Sequence, residues 1–221
     1  MIKNKLFVVL CVIAAAGFAV KGQAIDTKLA AIDAYAQKVL VDQGQPGMAI
    51  AVVRDDKVVF AQGYGTKELG KNSPVDANTV FAIASNSKAF ATATLAILVD
   101  EGKIKWDDKV SQYLPEFRMY DPWVTSELTI RDLVTHRVGL DTFSGDLLWY
   151  EATYKPEEIL ERVRHLKPVS SFRTRYGYQN LMFIAAGEVV KKVTGKPWCT
   201  FVKERILDPL GMSRTTCSVN N

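Results

Sequence analysis

Ser85-Asn86-Ser87-Lys88 stands between an apolar run, Val80-Phe81-Ala82-Ile83-Ala84, and a stretch with helical spacing, Ala89, Phe90, Ala93, Ile97 and Leu98, that stops at Gly102. The pattern predicts a helix opened by Ser85. Residues three apart share a helical face, so the Lys88 amine is expected one turn along from the Ser85 hydroxyl, close enough to share a proton with it. The same position gives Ser85 the positive end of the helix dipole, where backbone N–H groups can stabilise an oxyanion. A hydroxyl attacks poorly until a base takes its proton. Lys88 is expected to serve if burial against Ala89, Phe90 and Ala91 favours its neutral form. The plainer reading of the same four residues is a serine N-cap followed by a solvated lysine.

A second constellation lies downstream. Tyr178-Gln179-Asn180 precedes an apolar run expected to form a helix from Asn180 to Val193, closed by Thr194-Gly195. On the loop side of that start, both Tyr178 and Asn180 can project into a cleft. A phenol near an ammonium ionises more readily and suits proton transfer, and an asparagine amide both donates and accepts, which suits holding a carbonyl or amide. The alternative is a packed tyrosine and a capping asparagine.

The chain has 221 residues, of which 48% are hydrophobic and 24% charged, enough for one moderate domain or two small lobes with a real core. Residues 1–24 carry Lys3, Lys5 and Lys21 around an uncharged run from Leu6 to Val20, and read as a secretory signal peptide cut after Ala24, giving a secreted or periplasmic protein. Membrane contact is expected only through that leader. Without those three lysines the 28 basic residues become 25, against 24 acidic, so the basic balance is largely a leader effect. No basic run with interleaved aromatics remains to suggest nucleic acid. Cys199 and Cys217 pair or stay free on this reading, since spacing alone fixes no geometry. Two distant histidines and two cysteines imply no metal and no cofactor.

In order, the mature chain reads as a helix from Ile25 to Leu40, then a hairpin of Met48–Val53 and Val58–Ala61 whose near-continuous hydrophobicity predicts coverage on both faces. Beyond Ser85, short helices are expected within 106–117, from Thr129 (as N-cap) to His136, from Pro156 to Leu166, and from Pro197 through Leu207.

Ser-x-x-Lys and Tyr-x-Asn, in this order and setting, resemble the serine β-lactamase and penicillin-binding protein superfamily. The similarity is greatest to the branch of class C β-lactamases, D,D-carboxypeptidases and related esterases, and extends to Pro46–Gly65, Tyr113–Phe117, Leu133–Leu140 and Asp208–Met212. It implies an α+β, β-lactamase-like fold: an N-terminal helix and antiparallel hairpin with a helical lobe, as one domain over 25–221. It also implies catalysis by Ser85 as acylated nucleophile, Lys88 as its proton acceptor or relay and Tyr178 as a second proton-handling group, with Asn180 binding substrate. Expected substrates are small amides, esters or peptides, including peptidoglycan-derived ones. His136 and His165 are expected to be structural.

The third motif of that family, Lys-Thr-Gly or His-x-Gly on a cleft-lining strand, has no counterpart here, and neither do the later strands and C-terminal helix. The sequence therefore reads as the N-terminal part of a longer domain with impaired activity, because one lost oxyanion donor costs roughly a hundredfold to a thousandfold in rate. The competing reading is a non-catalytic relic or a peptidoglycan-binding module.

Overall fold

The computed structural model describes residues 27–218. The leader, its cleavage site and Cys11 lie outside those residues. The chain divides into two compact units at Phe81 and Ala82.

The first unit holds helix α1 (residues 27–42) and an antiparallel hairpin of β1 (Gly47–Arg54) and β2 (Lys57–Gly65). Asp55 and Asp56, at φ 49° and 58°, form a two-residue turn with left-handed backbone at both positions, whose twist matches the right-handed twist of the paired strands. Met48 faces Tyr64, Ile50 faces Gln62 and Val52 faces Phe60, so their large side chains share one face of the sheet. Tyr64 is buried, and its hydroxyl donates to Asp33 of α1 at 2.8 Å. Burial and that carboxylate push the phenol up to about 12. Coverage on both faces, expected from the hydrophobic run, is not what the strands show. Burial alternates along β1, and Ala49, Ala51 and Val53 on the other face are exposed, Val53 to 64%. Alanine and valine made the run look continuous although only every second residue is covered.

The second unit is helical. It contains α2 (Ser87–Asp100), α3 (Pro122–Glu127), α4 (Ile130–Leu133), α5 (Pro156–Arg162), α6 (Leu181–Thr194) and α7 (Trp198–Val202), the last running into a π-helical turn over Lys203–Leu207. Helix α6 is its centre. Leu181, Ala185 and Val189 form one buried row, and Met182, Ala186 and Val190 the next, so two adjacent i, i+4 ridges are covered. Leu95 and Leu98 of α2, Leu133 of α4 and Val163 pack into the same core, each fully buried leucine contributing roughly 1.5–3 kcal/mol. Small residues at 185 and 186 let neighbouring helices approach; a leucine at either would overpack the contact. Gly195, at φ 70°, stops the helix as a left-handed C-cap.

Three helices are shorter than their sequence patterns. Thr129 is the N-cap of α4 as expected, in a capping box with Asp132, but the helix ends at Leu133 because the backbone turns left-handed at His136, φ 57°. Helix α5 ends at Arg162 and continues only as a 3-10 turn to His165, short of Leu166. Within 106–117 there is one 3-10 turn, Val110–Gln112, fixed by the Val110 N–H donating to Leu128 O at 2.9 Å. Cys199 and Cys217 are exposed free thiols.

Candidate active site

Ser85 does not open α2 itself. It sits in a 3-10 turn, Ala84–Asn86, that feeds the helix, whose N-cap is Asn86. Ala84 holds a left-handed φ of 45°, a conformation that costs a non-glycine residue about 1 kcal/mol. Asn86 secures the turn, donating to Ile83 O at 3.0 Å from both its backbone and its side-chain nitrogen. The serine is left exposed at the mouth of the helix.

Lys88 is half-buried one turn on. Its Nζ donates to Ser85 Oγ at 3.1 Å and to Asn180 Oδ1 at 2.6 Å. Two aromatic rings also face the ammonium, which lies 4.6 Å from the Tyr178 ring centroid and 5.3 Å from that of Phe183. Ser85, Lys88, Tyr178 and Asn180 are thus gathered from two segments about ninety residues apart.

Two segments zipped together deliver Tyr178 and Asn180. The Gly177 N–H donates to His136 O at 2.8 Å, Phe143 N–H to Tyr178 O at 2.9 Å, and Tyr178 N–H to Thr142 Oγ1 at 3.1 Å. Position 177 must be glycine here, because a Cβ would stand 2.1 Å from the Leu140 carbonyl oxygen. Behind the zipper, the fully buried Asp132 carboxylate takes hydrogen bonds from Arg173, Arg137 and Thr129. Burial pushes the Asp132 carboxyl up, but the Arg173 and Thr129 hydrogen bonds outweigh it and hold the group below its ordinary range. Arg173 N–H also donates to Arg137 O at 2.8 Å, which joins the start of the Tyr178 segment to the end of α4. Asn180 is the N-cap residue of α6, on the loop side of its start.

The Tyr178 phenol lies below the ordinary tyrosine range, chiefly because of Lys88 and then the Ser85 hydroxyl, against the opposing effects of burial and of Asp146. His136 stacks on the phenol and accepts the Gln179 N–H at Nδ1, 3.0 Å, which requires that nitrogen unprotonated. Burial, and then the Lys88 charge, hold this imidazole below its usual value. His136 is thus a support for Tyr178, as expected of a structural histidine.

A cavity of about 490 Å³ opens at the site, lined by Ser85, Lys88 and Asn180 and with Trp149, Phe183 and Ile184 among its apolar walls. Tyr178 stands at Lys88 without lining this cavity. Sequence reasoning missed Asp146, which meets Asn180 only through the fold, and Trp149, which holds Asp146. Asn180 Nδ2 donates to Asp146 Oδ2 at 2.8 Å, and Trp149 Nε1 donates to Asp146 Oδ1 at 3.1 Å. Among the described residues, no group of three or more His, Cys, Asp and Glu side chains gathers as metal ligands.

The family model described as Beta-lactamase matches residues 28–221, so the chain belongs to that family, and its fold is the α+β, β-lactamase-like one. It is 36% identical over 185 residues to the unguisins hydrolase ungD' of Aspergillus campestris, an alignment that takes in 80% of this chain and 34% of the relative. Among solved structures, the octameric penicillin-binding protein homologue from Pyrococcus abyssi superposes with a TM-score of 0.73 at 24% identity, over 83% of this chain and 43% of that one. The D-amino acid amidase from Ochrobactrum anthropi SV3, complexed with L-phenylalanine, gives 0.67 at 25% identity, over 79% and 48%. The chain spans about a third of the length of the curated relatives it matches.

Proposed function

We propose that this chain carries the nucleophile of a serine hydrolase that cleaves an amide or ester through an acyl-enzyme at Ser85. The observation that carries the reading is the Lys88 ammonium held between Ser85 Oγ and Asn180 Oδ1, against the Tyr178 ring. In this mechanism the Ser85 hydroxyl adds to the substrate carbonyl carbon as its proton passes to the Tyr178 phenolate, the form that the Lys88 charge favours. The protonated phenol then supplies that proton to the departing amine or alcohol, leaving the acyl group on Oγ. Water, deprotonated by the same phenolate, attacks the ester and releases the acid. Asn180, which lines the cavity beside Ser85, orients the substrate carbonyl or amide.

The relatives named as a hydrolase and an amidase support the choice of an amide or ester. Export completes the proposal: residues 1–24 act as a leader, and the hydrolase works outside the cytoplasm. The test is to treat the mature chain with a fluorescent penicillin and with a fluorophosphonate and locate the adduct by mass spectrometry. Labelling at Ser85, abolished in Ser85→Ala, is expected. A cooperatively folded chain that takes neither label would overturn the reading.

A further inference from the structure

We propose that Asp146 is a positioning residue for acyl transfer at Ser85, its carboxylate dictating which end of the Asn180 amide meets Lys88. The inference rests on the serine hydrolase reading. Four contacts run in series: Trp149 Nε1 to Asp146 Oδ1 at 3.1 Å, Asn180 Nδ2 to Asp146 Oδ2 at 2.8 Å, Lys88 Nζ to Asn180 Oδ1 at 2.6 Å, and Lys88 Nζ to Ser85 Oγ at 3.1 Å.

An asparagine amide has a donating end and an accepting end, and its terminal torsion is broad enough for either to point a given way. Here it lies between a carboxylate, which only accepts, and an ammonium, which only donates. With the amide turned over, its oxygen would face Asp146 and its NH2 would face Lys88, so both contacts would repel. Asp146 therefore commits the amide oxygen to Lys88. That bond in turn aims the ammonium that bridges to Ser85.

The carboxylate is itself fixed. Trp149, donor only, occupies its second oxygen, and the Trp149 and Tyr150 N–H groups donate to Asp146 O at 3.1 and 2.9 Å. Gly145 before it adopts φ 81°, and a Cβ there would lie 2.5 Å from Leu181 Cδ1 and 2.7 Å from Leu166 Cδ1. Since Leu181 follows Asn180 in the chain, the turn carrying Asp146 is seated on the start of α6 that carries its partner.

The test compares Asp146→Leu and Asp146→Asn with the wild-type mature chain, reading the rate of fluorophosphonate labelling at Ser85 against pH and the side-chain amide NMR signals of Asn180, assigned by their loss in Asn180→Ala. The charged and titratable groups facing Tyr178 are Lys88 of α2, Asp146 of the 146–148 turn and His136 after α4. Asp146→Leu frees the amide to turn, and labelling falls by about a hundredfold, the scale of a misplaced reacting group. Asp146→Asn has one oxygen for two donors, Trp149 and Asn180, so it recovers only part of that rate, and its labelling profile moves to lower pH because the charge opposing Tyr178 ionisation is gone.

A role confined to holding the turn would lower the unfolding midpoint of both variants and leave the labelling rate and the Asn180 amide signals unchanged. A wild-type rate in folded Asp146→Leu, or unmoved Asn180 signals, overturns the proposal while the hydrolase reading stands. If Asp146→Leu does not fold, a wild-type labelling rate with unmoved Asn180 amide signals in Asp146→Asn overturns it. No labelling of the wild type removes the hydrolase reading and this proposal with it.

Discussion

The imidazole of His136 lies almost flat on the phenol of Tyr178, ring centroids 4.5 Å apart and planes 18° from parallel. The stack works only with a neutral ring, because Nδ1 must accept the Gln179 N–H and Lys88 already brings a positive charge to the same phenol. The fold therefore resists protonating His136.

That resistance has a pH signature. Above the ordinary histidine value of about 6.5, the ring is neutral in folded and unfolded chain alike and its contribution is fully present. Below it the unfolded chain takes up a proton that the folded chain refuses, so stability falls until the depressed folded value is passed. Urea midpoints measured from pH 8 to 5 are expected to drop further in the wild type than in His136→Asn. Parallel curves would show that the histidine is not held neutral.

Tyr178→Phe keeps a ring on His136 and loses the proton carrier. Its stability is expected to stay within about 0.5 kcal/mol of wild type by denaturant titration. Labelling at Ser85 should fall by roughly a hundredfold to ten-thousandfold, the range for a lost general base. An unchanged labelling rate would assign the proton transfer elsewhere.

Lys88→Met removes the charge that favours the Tyr178 phenolate and keeps the length of the side chain. Since labelling requires the ionised phenol, the rising limb of its pH profile should move to higher pH as Tyr178 returns toward its ordinary value. The rate at neutral pH should drop accordingly. Lys88→Arg is expected to rescue poorly, because a planar guanidinium cannot reach Ser85 and Asn180 from one atom. A limb fixed in position in Lys88→Met would disconnect the two residues.

Asp132→Asn leaves Arg173 and Arg137 without their carboxylate in a site the aspartate fills completely. Breaking a buried pair on one side is costly, and with both arginines about a third exposed the loss is expected near 3 kcal/mol in a chemical denaturation curve. A change under about 0.5 kcal/mol would mean that solvent or a neighbour replaces the lost acceptor.

Much of this site is legible in the sequence. Ser85 and Lys88 are three residues apart, and helical periodicity alone puts them on one face. Tyr178 and Asn180 flank a helix start that Gly195 and the apolar rows of α6 define from its other end. What stayed hidden depends on contacts between distant segments. Asp146 is 34 residues from Asn180, and nothing local to it distinguishes a ligand of an amide from an ordinary turn residue. The early stop of α4 goes with a left-handed backbone at His136, where the Gly177 N–H pairs with the His136 carbonyl, a contact between distant segments that the local sequence does not show. In the hairpin, alanine at alternate positions disguised an exposed face as a buried one.

Residue 84 adopts a backbone shape natural to glycine, directly before the serine, and yet is alanine. A laboratory search for heat-resistant forms of this chain would be drawn to that position, since glycine relieves the local tension at once. The same exchange lets the neighbouring hydroxyl swing through a wider arc, so hardiness gained there is bought with aim.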